Sequence, residues 1–465
     1  MLRIAVIGGG IAGLSAAWEL SSHAGVNVVV FERDAGWGGK IRTTPFAGRP
    51  AIDEAADAFL ARVPWGLQLA TELGLADSLT SPTSGSAFVA LGGVLHPIPT
   101  GLMLGVPKGM GGLLRSNLLT WRGKARAGLD VVLPKRSTAH DSLGRAIRDR
   151  FGAEVAERLV DPLVGGINAG DADDLSLRAA VPQLVDVATK KRSMLLGLRH
   201  APAPAPGPIF YAPTAGTGAL IVALVAALPA SGVELRGSAE VDLIEPGDAS
   251  AAGYRIDGEH FDGVIVTTPA FDAARLLRRI GPDAAAPLGS IDYAGVVMLT
   301  LAIPSSDLAS VPHGSGYLVP KPAQRHVTAV SFGSRKWAHW QRTDAGAGRA
   351  DSASTELLRV SLGRHGNAAP LTMDDDELLK TAVDEVSTHI GTAIMPVAQR
   401  ISRWERAFPQ YQPHHLDLIA DIESKVSALP RLRVTGAAYR GIGIPACIRQ
   451  GRESANALLH ELAEA

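Results

Sequence analysis

The stretch "LRIAVIGGGIAGLSAAWEL" constrains this chain more than any other. Its short apolar run, Arg3 to Ile7, has the length and composition of a parallel strand buried on both faces. The run meets three glycines, and a helical pattern follows from Ile11 to about Ser22. Gly8, Gly10 and Gly13 read G-x-G-x-x-G across this strand-to-helix turn. Gly8 suits the tight turn, Gly10 lets a pyrophosphate approach the backbone, and Gly13 lets helix and strand pack closely. The next strand, "VNVVVFE", ends on Glu32, nineteen residues after Gly13, where a carboxylate can accept from ribose hydroxyls. The helix start directs partial positive charge at the phosphates. The unit predicts a doubly wound dinucleotide domain, and an acid at this place serves NAD and FAD alike.

A chain of 465 residues is too long for one core, and its length predicts about three domains, or two with insertions. A net charge of −1 gives no bias toward nucleic acid. The single cysteine, Cys447, rules out an internal disulfide framework and a cysteine metal cluster, and fits a reducing cytoplasm. The apolar start shows no secretory cleavage site. "GALIVALVAALPASGV" offers about a dozen lipid-compatible residues before Pro229, against ~20 for a membrane span. No transmembrane segment is expected, and peripheral membrane contact stays open.

From about His96 to Arg199 the periods turn helical, as in "HDSLGRAIRDRFGAEVAERLVDPLV". Seven basic residues and one acid, Asp130, lie between Lys108 and Arg136. Such a run is either a solvated helical face or a site for an acidic ligand or surface. "HAPAPAPGPIFYAP" predicts a stiff extended linker, because proline fixes φ and cannot donate to a helix. A helix over Gly218 to Leu228 and strands in "GVELRGSAEVDLIEP", "AAGYRIDGEHF" and "DGVIVTTPA" come next. Between Phe271 and Ile394, strand-like "GVVMLTLAI" and "HVTAVSFGS" alternate with "STELLRVSLGRH" and "DDELLKTAVDEVSTHI", both read as helices. The chain returns to a buried strand, "LRVTGAA", and ends in a helix.

Just past Glu32, "ERDAGWGGKIRT" places Gly38, Gly39 and Lys40. This resembles the second signature of the FAD-dependent amine oxidase superfamily. Paired glycines let a second backbone segment approach the pyrophosphate, and Lys40 adds a counter-charge. "VTGAAYRGIGIPACIRQGRESA" is similar to the closing flavin motif of the same superfamily. "GGVLHPIPTG", "LVDPLVGGINAGDADDLSLRAAVPQL", "RWERAFPQYQPHH" and "GIGIPACIRQGRES" resemble, in order, motifs of the protoporphyrinogen/coproporphyrinogen oxidase family, nearest its soluble coproporphyrinogen III branch of Gram-positive-type haem synthesis.

The resemblance implies an α/β fold: a discontinuous Rossmann-like FAD-binding domain (1–75, 209–270, 401–465), an inserted α+β substrate domain (76–95, 271–400) and a helical insert (96–208). It implies FAD as cofactor, a porphyrinogen as substrate, molecular oxygen as acceptor and hydrogen peroxide as a product. Gly8, Gly9, Gly10, Ile11, Ala12, Gly13, Glu32, Arg33, Gly39 and Lys40 would hold FAD. "EAADAF" falls where the family shows a Gly-Pro-Asp-Ser-Phe loop against the flavin ring; Ala55, Ala56 and Ala58 replace glycine, proline and serine, while Asp57 and Phe59 remain. Val241 would meet the adenine, Trp404 would lie near the ring, and Ile444, Pro445 and Ala446 would approach its redox end. Gly166, Asn168 and Gly170 are candidates for the substrate wall, with carbonyls toward the pyrrole N–H groups. Arg62 is a candidate for a propionate.

No Gly-x-Ser-x-Gly elbow and no His-Glu-x-x-His motif is present, as expected where macrocyclic conjugation drives proton loss. Cys447 reads as a small buried residue rather than a flavin attachment point. His414 and His415 read equally as a solvated loop or as neighbours of the site. Trp337 and Trp340 read as packing for the inserted domain. The basic insert could favour the more anionic porphyrinogen, or meet lipid headgroups or another enzyme of the pathway. Three rival functions remain: a protoporphyrinogen IX oxidase, a flavin oxidase or desaturase of an amine or a polyene, and a porphyrin-carrying flavoprotein without turnover.

Overall fold

A computed structural model describes residues 1–200, 206–247, 252–341 and 354–464. Residues 201–205, the heart of the Ala–Pro linker, lie outside the described residues. A five-stranded sheet forms in the order Glu234–Arg236, Val26–Phe31, Leu2–Ile7, Gly263–Val266, Leu432–Val434, and every pair in it is parallel. Ile4, Ala5, Val6, Val29, Val30, Val264 and Ile265 are fully buried, so both faces of the sheet are covered. The strands come from three distant stretches of chain.

One face carries the helices Ile11–Ser21, Gly218–Ala230 and Ile444–Glu464. The first and last cross at Gly451, where a Cβ would sit 2.2 Å from the Ala12 carbonyl oxygen. Only glycine allows that approach, so the two ends of the chain are in backbone contact. No helix among the described residues is long and apolar enough to cross a membrane.

A seven-stranded sheet runs Ala398–Pro409, Tyr293–Pro304, Thr355–Leu362, Val327–Phe332, Gly316–Leu318, Phe88–Leu91, Val94–Pro97. The helix Asp375–Ile390 packs on it through Leu378, Ala382 and Val386. One sequence expectation fails here: "STELLRVSLGRH" is not a helix but the strand Thr355–Leu362, third in the sheet. Its leucines, glutamate and arginine favour helix locally, and burial on both faces removes the alternation that marks a strand. The boundary at 400 falls inside the strand Ala398–Pro409, and that at 95 inside Val94–Pro97.

The segment from His96 is not helical at its start. Two short strands, Leu102–Met103 and Val106–Pro107, pair before the first helix at Met110. Ala156–Gly165 is a wide π-helix containing Pro162. The basic run is partly consumed within the fold: Lys124 donates to Leu114 O, Arg126 to the carbonyls of 148–150, and buried Asp130 pairs with Arg150 at 2.6 Å. Arg115, Arg122, Lys135 and Arg136 remain exposed.

Candidate functional site

The glycine-rich turn is fixed by sterics. Gly8 has φ +113°, and a Cβ there would meet Thr267 Oγ1 at 2.7 Å. A Cβ on Gly13 would lie 2.0 Å from Gly8 O, and one on Gly9 would enter the Trp37 ring at 2.5 Å. Gly10 differs, because a Cβ there meets nothing within 4 Å. This is the face a pyrophosphate would approach, over the start of the Ile11–Ser21 helix. Ile11 and Ala12, in its first turn, are buried beneath the turn.

Glu32 is buried, and its carboxylate accepts from Gly9 N at 2.7 Å and Asp34 N at 3.0 Å. Those bonds fix the carboxylate beside the turn and leave further lone pairs for a ribose. Arg33 points elsewhere, to Asp272 at 3.5 Å. Val241 is buried, and its carbonyl accepts from Arg275 at 3.1 Å.

Gly38 N donates to Gly9 O at 2.8 Å, laying the second glycine segment on the first. This delivers Lys40 to a junction of several segments. Its ammonium donates to the Ala407 carbonyl and lies 5.7 Å from the Tyr293 ring centre. Ala407 is available because the strand bulges opposite Gly295: Ala294 pairs with Phe408 and Val296 with Trp404, leaving 405–407 looped out. Lys40 borders open space, yet surrounding protein desolvates its ammonium and lowers its pKa to about 8.

The 55–58 loop is held from the seven-stranded sheet. Asp57 accepts from Lys336 at 2.8 Å and from Trp337 Nε1 at 3.0 Å, and lies 3.3 Å from Arg359. Burial alone would raise its carboxyl, but the Lys336 and Arg359 charges overcome that and hold it well below the usual range. The Asp57 side chain is thus committed to the sheet, and only the loop backbone is left to meet a cofactor. Arg359 also donates to the Ala55 carbonyl, and Ala56 is exposed. Ala58 packs against the cluster containing Trp337 and Trp340, both fully buried.

Across the junction, Trp404 packs with Phe408 against Ala169, Ala294 and Val296. Arg42 lies 5.2 Å from its ring, and its indole Nε1 is buried without a partner among the described residues. Ala169 belongs to the helical insert, in a left-handed conformation at φ 46°. Of the candidate wall residues, only Gly166 is exposed, beside exposed Ile167. Asn168 and Gly170 are buried, with carbonyls already engaged by Gln410 at 3.1 Å and by Arg364. Both carbonyls thus brace the loop through one acceptor position each. Arg364 also pairs with buried Asp161 of the π-helix at 2.8 Å. Arg62 is exposed on the turn before Pro64, with no hydrogen bond or ion pair among the described residues.

The closing turn is braced by Tyr411, with His415 stacked on it. Tyr411 accepts from Gly441 N and donates to Ala437 O, each at 2.7 Å. His415 stacks on Tyr411 at 4.1 Å and is buried, not solvated; desolvation lowers its pKa to about 4. His414 is exposed and lies 3.4 Å from Asp417. Ile444 and Pro445 are buried at the start of the last helix, with Ala446 half-buried. Cys447 is buried and free, and burial pushes its thiol up to about 11, so it is a poor nucleophile. Arg359, Lys336, Tyr411 and Arg364 were missed because nothing local marks them; each acts on a segment far away in sequence.

The chain matches the flavin-containing amine oxidoreductase family over residues 11–459. A coproporphyrinogen III oxidase from Propionibacterium freudenreichii subsp. freudenreichii is 33% identical, over 98% of this chain and 90% of that protein. One from Bacillus subtilis strain 168 is 29% identical, over 97% and 96%. A protoporphyrinogen oxidase from Homo sapiens is 27% identical, over 98% of both. The solved structure of a protein from Exiguobacterium sp. 255-15 superposes with a TM-score of 0.85 at 27% identity, over 99% of both chains. Reduced UDP-galactopyranose mutase, at 13% identity and a TM-score of 0.71 over 99% and 96%, shares the fold alone. The family match runs from the start of the helix that follows Gly8–Gly10 into the last helix, which closes the site: this chain belongs to the flavin-containing amine oxidoreductases, and its cofactor is a flavin.

Proposed function

We propose that the chain is an FAD-dependent coproporphyrinogen III oxidase of haem biosynthesis, working in the cytoplasm. It removes six electrons from the macrocycle, and each pair reduces one dioxygen to hydrogen peroxide. The observation that carries this reading is the near-full-length similarity to proteins named coproporphyrinogen III oxidase. FAD rather than a shorter flavin is favoured by a site with two ends. Glu32 sits where a ribose would bind, the Gly10 face suits a pyrophosphate, and the Ile444–Glu464 helix starts at the far end.

An FAD held here would supply two-electron chemistry: hydride acceptance from the macrocycle and return of the electron pair to dioxygen. The protein's part is to hold, orient and charge the site. Gly10 and Gly39 leave backbone open to the phosphates, and the Lys40 ammonium supplies positive charge at the junction. The start of the last helix, held by Tyr411, places partial positive charge where a reduced ring becomes anionic. Trp404, Phe408, Ala294 and Val296 give an apolar wall that limits water. Of the three wall candidates, Gly166 is the exposed one and, with exposed Ile167 beside it, is free to meet the macrocycle. On this reading 1–75, 209–270 and 401–465 form the FAD unit, with Ala398–Pro409 shared with the substrate unit.

The test is anaerobic mixing of the yellow holoprotein with each porphyrinogen, followed by oxygen. Flavin bleaching, then porphyrin fluorescence with peroxide, is expected, faster with coproporphyrinogen than with protoporphyrinogen. A reversed preference overturns the substrate assignment. No bleaching with either substrate leaves a porphyrin carrier.

A further inference from the structure

The 55–58 loop reads Ala-Ala-Asp-Ala and has no proline to lock φ from within, so contacts from outside have to set its conformation. Two buried side chains do this. Arg359, from the strand Thr355–Leu362, donates to the Ala55 carbonyl and pairs with Asp57 at 3.3 Å. The Thr217 hydroxyl, fully buried, lies 2.9 Å from the Ala56 carbonyl oxygen. The Ala55 carbonyl is thereby tied to Arg359, and the Ala56 carbonyl shares the single Thr217 hydroxyl proton with Asp53 Oδ1, 2.8 Å from it. The N–H groups of Ala55, Ala56, Asp57 and Ala58 have no acceptor among the described residues.

A run of backbone N–H groups without protein acceptors, next to carbonyls that are held, is a donor surface for an electron-rich ligand edge. We infer that Arg359 is a positioning residue for the flavin: it holds the 55–58 loop so that these N–H groups are left for the cofactor. This rests on the flavin reading above and adds a residue to it. Arg359 is 4% exposed, and its hydrogen bond and ion pair both go to the loop; its Nε has no partner. A buried guanidinium is tolerated only when paired, so the loop and the arginine fix each other. Because Arg359 sits on the seven-stranded sheet, it carries the position of that sheet to the cofactor loop.

The experiment uses holoprotein and three readouts: FAD occupancy, the rate of FAD release and the visible flavin spectrum. Arg359→Leu is expected to speed FAD release roughly tenfold, the worth of one charge-assisted hydrogen bond, and to shift the flavin bands. Arg359→Lys can still pair with Asp57 but cannot reach Ala55 as well, so it should recover part of the loss. Arg150→Leu breaks an equally buried pair with Asp130 in the helical insert and should lower stability without altering FAD release. If Arg359→Leu does not fold, Arg359→Lys and Thr217→Val are read instead, and both should speed release. Wild-type release and spectrum in the Arg359 variants, or equal loss of FAD in Arg150→Leu, overturns the inference. Wild-type protein that carries no flavin would overturn the parent reading instead.

Discussion

The molecule holds its candidate cofactor site in two ways. Around residues 8–13 the grip is made of backbone: glycines, one carboxylate and a helix start, all within about two dozen residues of sequence. Around 55–58 and 161–170 it is made of buried charges that arrive from hundreds of residues away: Lys336, Arg359 and Arg364. The first grip resists change because no space is available. The second resists change because an unpaired charge cannot be left in a low-dielectric interior.

The largest effect should come from the first region. Gly13→Ala puts a Cβ 2.0 Å from the Gly8 carbonyl oxygen in the turn, a backbone atom that cannot swing away as the end of a flexible side chain could. We expect a loss of about 4 kcal/mol or more, among the severe values for one substitution. Urea unfolding measures it. A loss under about 1 kcal/mol, typical of ordinary substitutions, would mean the turn adapts and the steric account is wrong.

The second region should respond next. Asp161 and Arg364 are 3% and 9% exposed, and Asp161 also accepts from Ala172 N at 3.0 Å. Arg364→Met leaves that carboxylate buried without its counter-charge, at a cost of about 3–5 kcal/mol. Asp161→Leu combined with Arg364→Met should recover part of this but not all, since Gly170 O and Ala172 N both lose their partners. A double variant no better than the single one would show that the ion pair is not the source of the loss.

The same contrast explains what could be read from sequence. The turn, Glu32 and the paired glycines were legible because their geometry is local and each residue type has one physical reason to be there. Arg359 was hidden twice: its strand has helix-forming composition, and its targets, Ala55 and Asp57, lie some three hundred residues earlier. Asp57 was legible as a position, but not the side on which its carboxylate is used, because Lys336 and Trp337 carry no mark linking them to it. His415 reads equally as a loop residue or a neighbour of the site, because only the fold stacks it on Tyr411. The engagement of the Asn168 and Gly170 carbonyls by Gln410 and Arg364 could be read only from the tertiary structure, because both donors lie far away in sequence.

A change that should spare stability sharpens the comparison. Gly10→Ala meets nothing within 4 Å, so the flavin-free protein should keep its melting temperature to within the small effect of a surface substitution. The same methyl would stand where a pyrophosphate approaches, so FAD uptake should fall sharply. Gly10 and Gly13 then separate: one is required by the cofactor, the other by the fold. Normal FAD uptake by Gly10→Ala would move the phosphates elsewhere.

The mildest prediction concerns Lys40, where the two kinds of grip meet. Desolvation lowers its folded pKa to about 8, below the ordinary 10.5 of a lysine. Between these values the unfolded chain binds more protons than the folded one. Stability of the flavin-free protein should therefore rise with pH across that window and be flat below it. FAD affinity should move the other way, because loss of the proton removes the positive charge beside the cofactor. Melting temperature and FAD binding, each followed from pH 7 to about 10, should slope in opposite directions, and Lys40→Met should remove the Lys40 part of both slopes. Parallel slopes in the wild type, or slopes unchanged in Lys40→Met, would show that this ammonium neither titrates in the window nor acts on the cofactor.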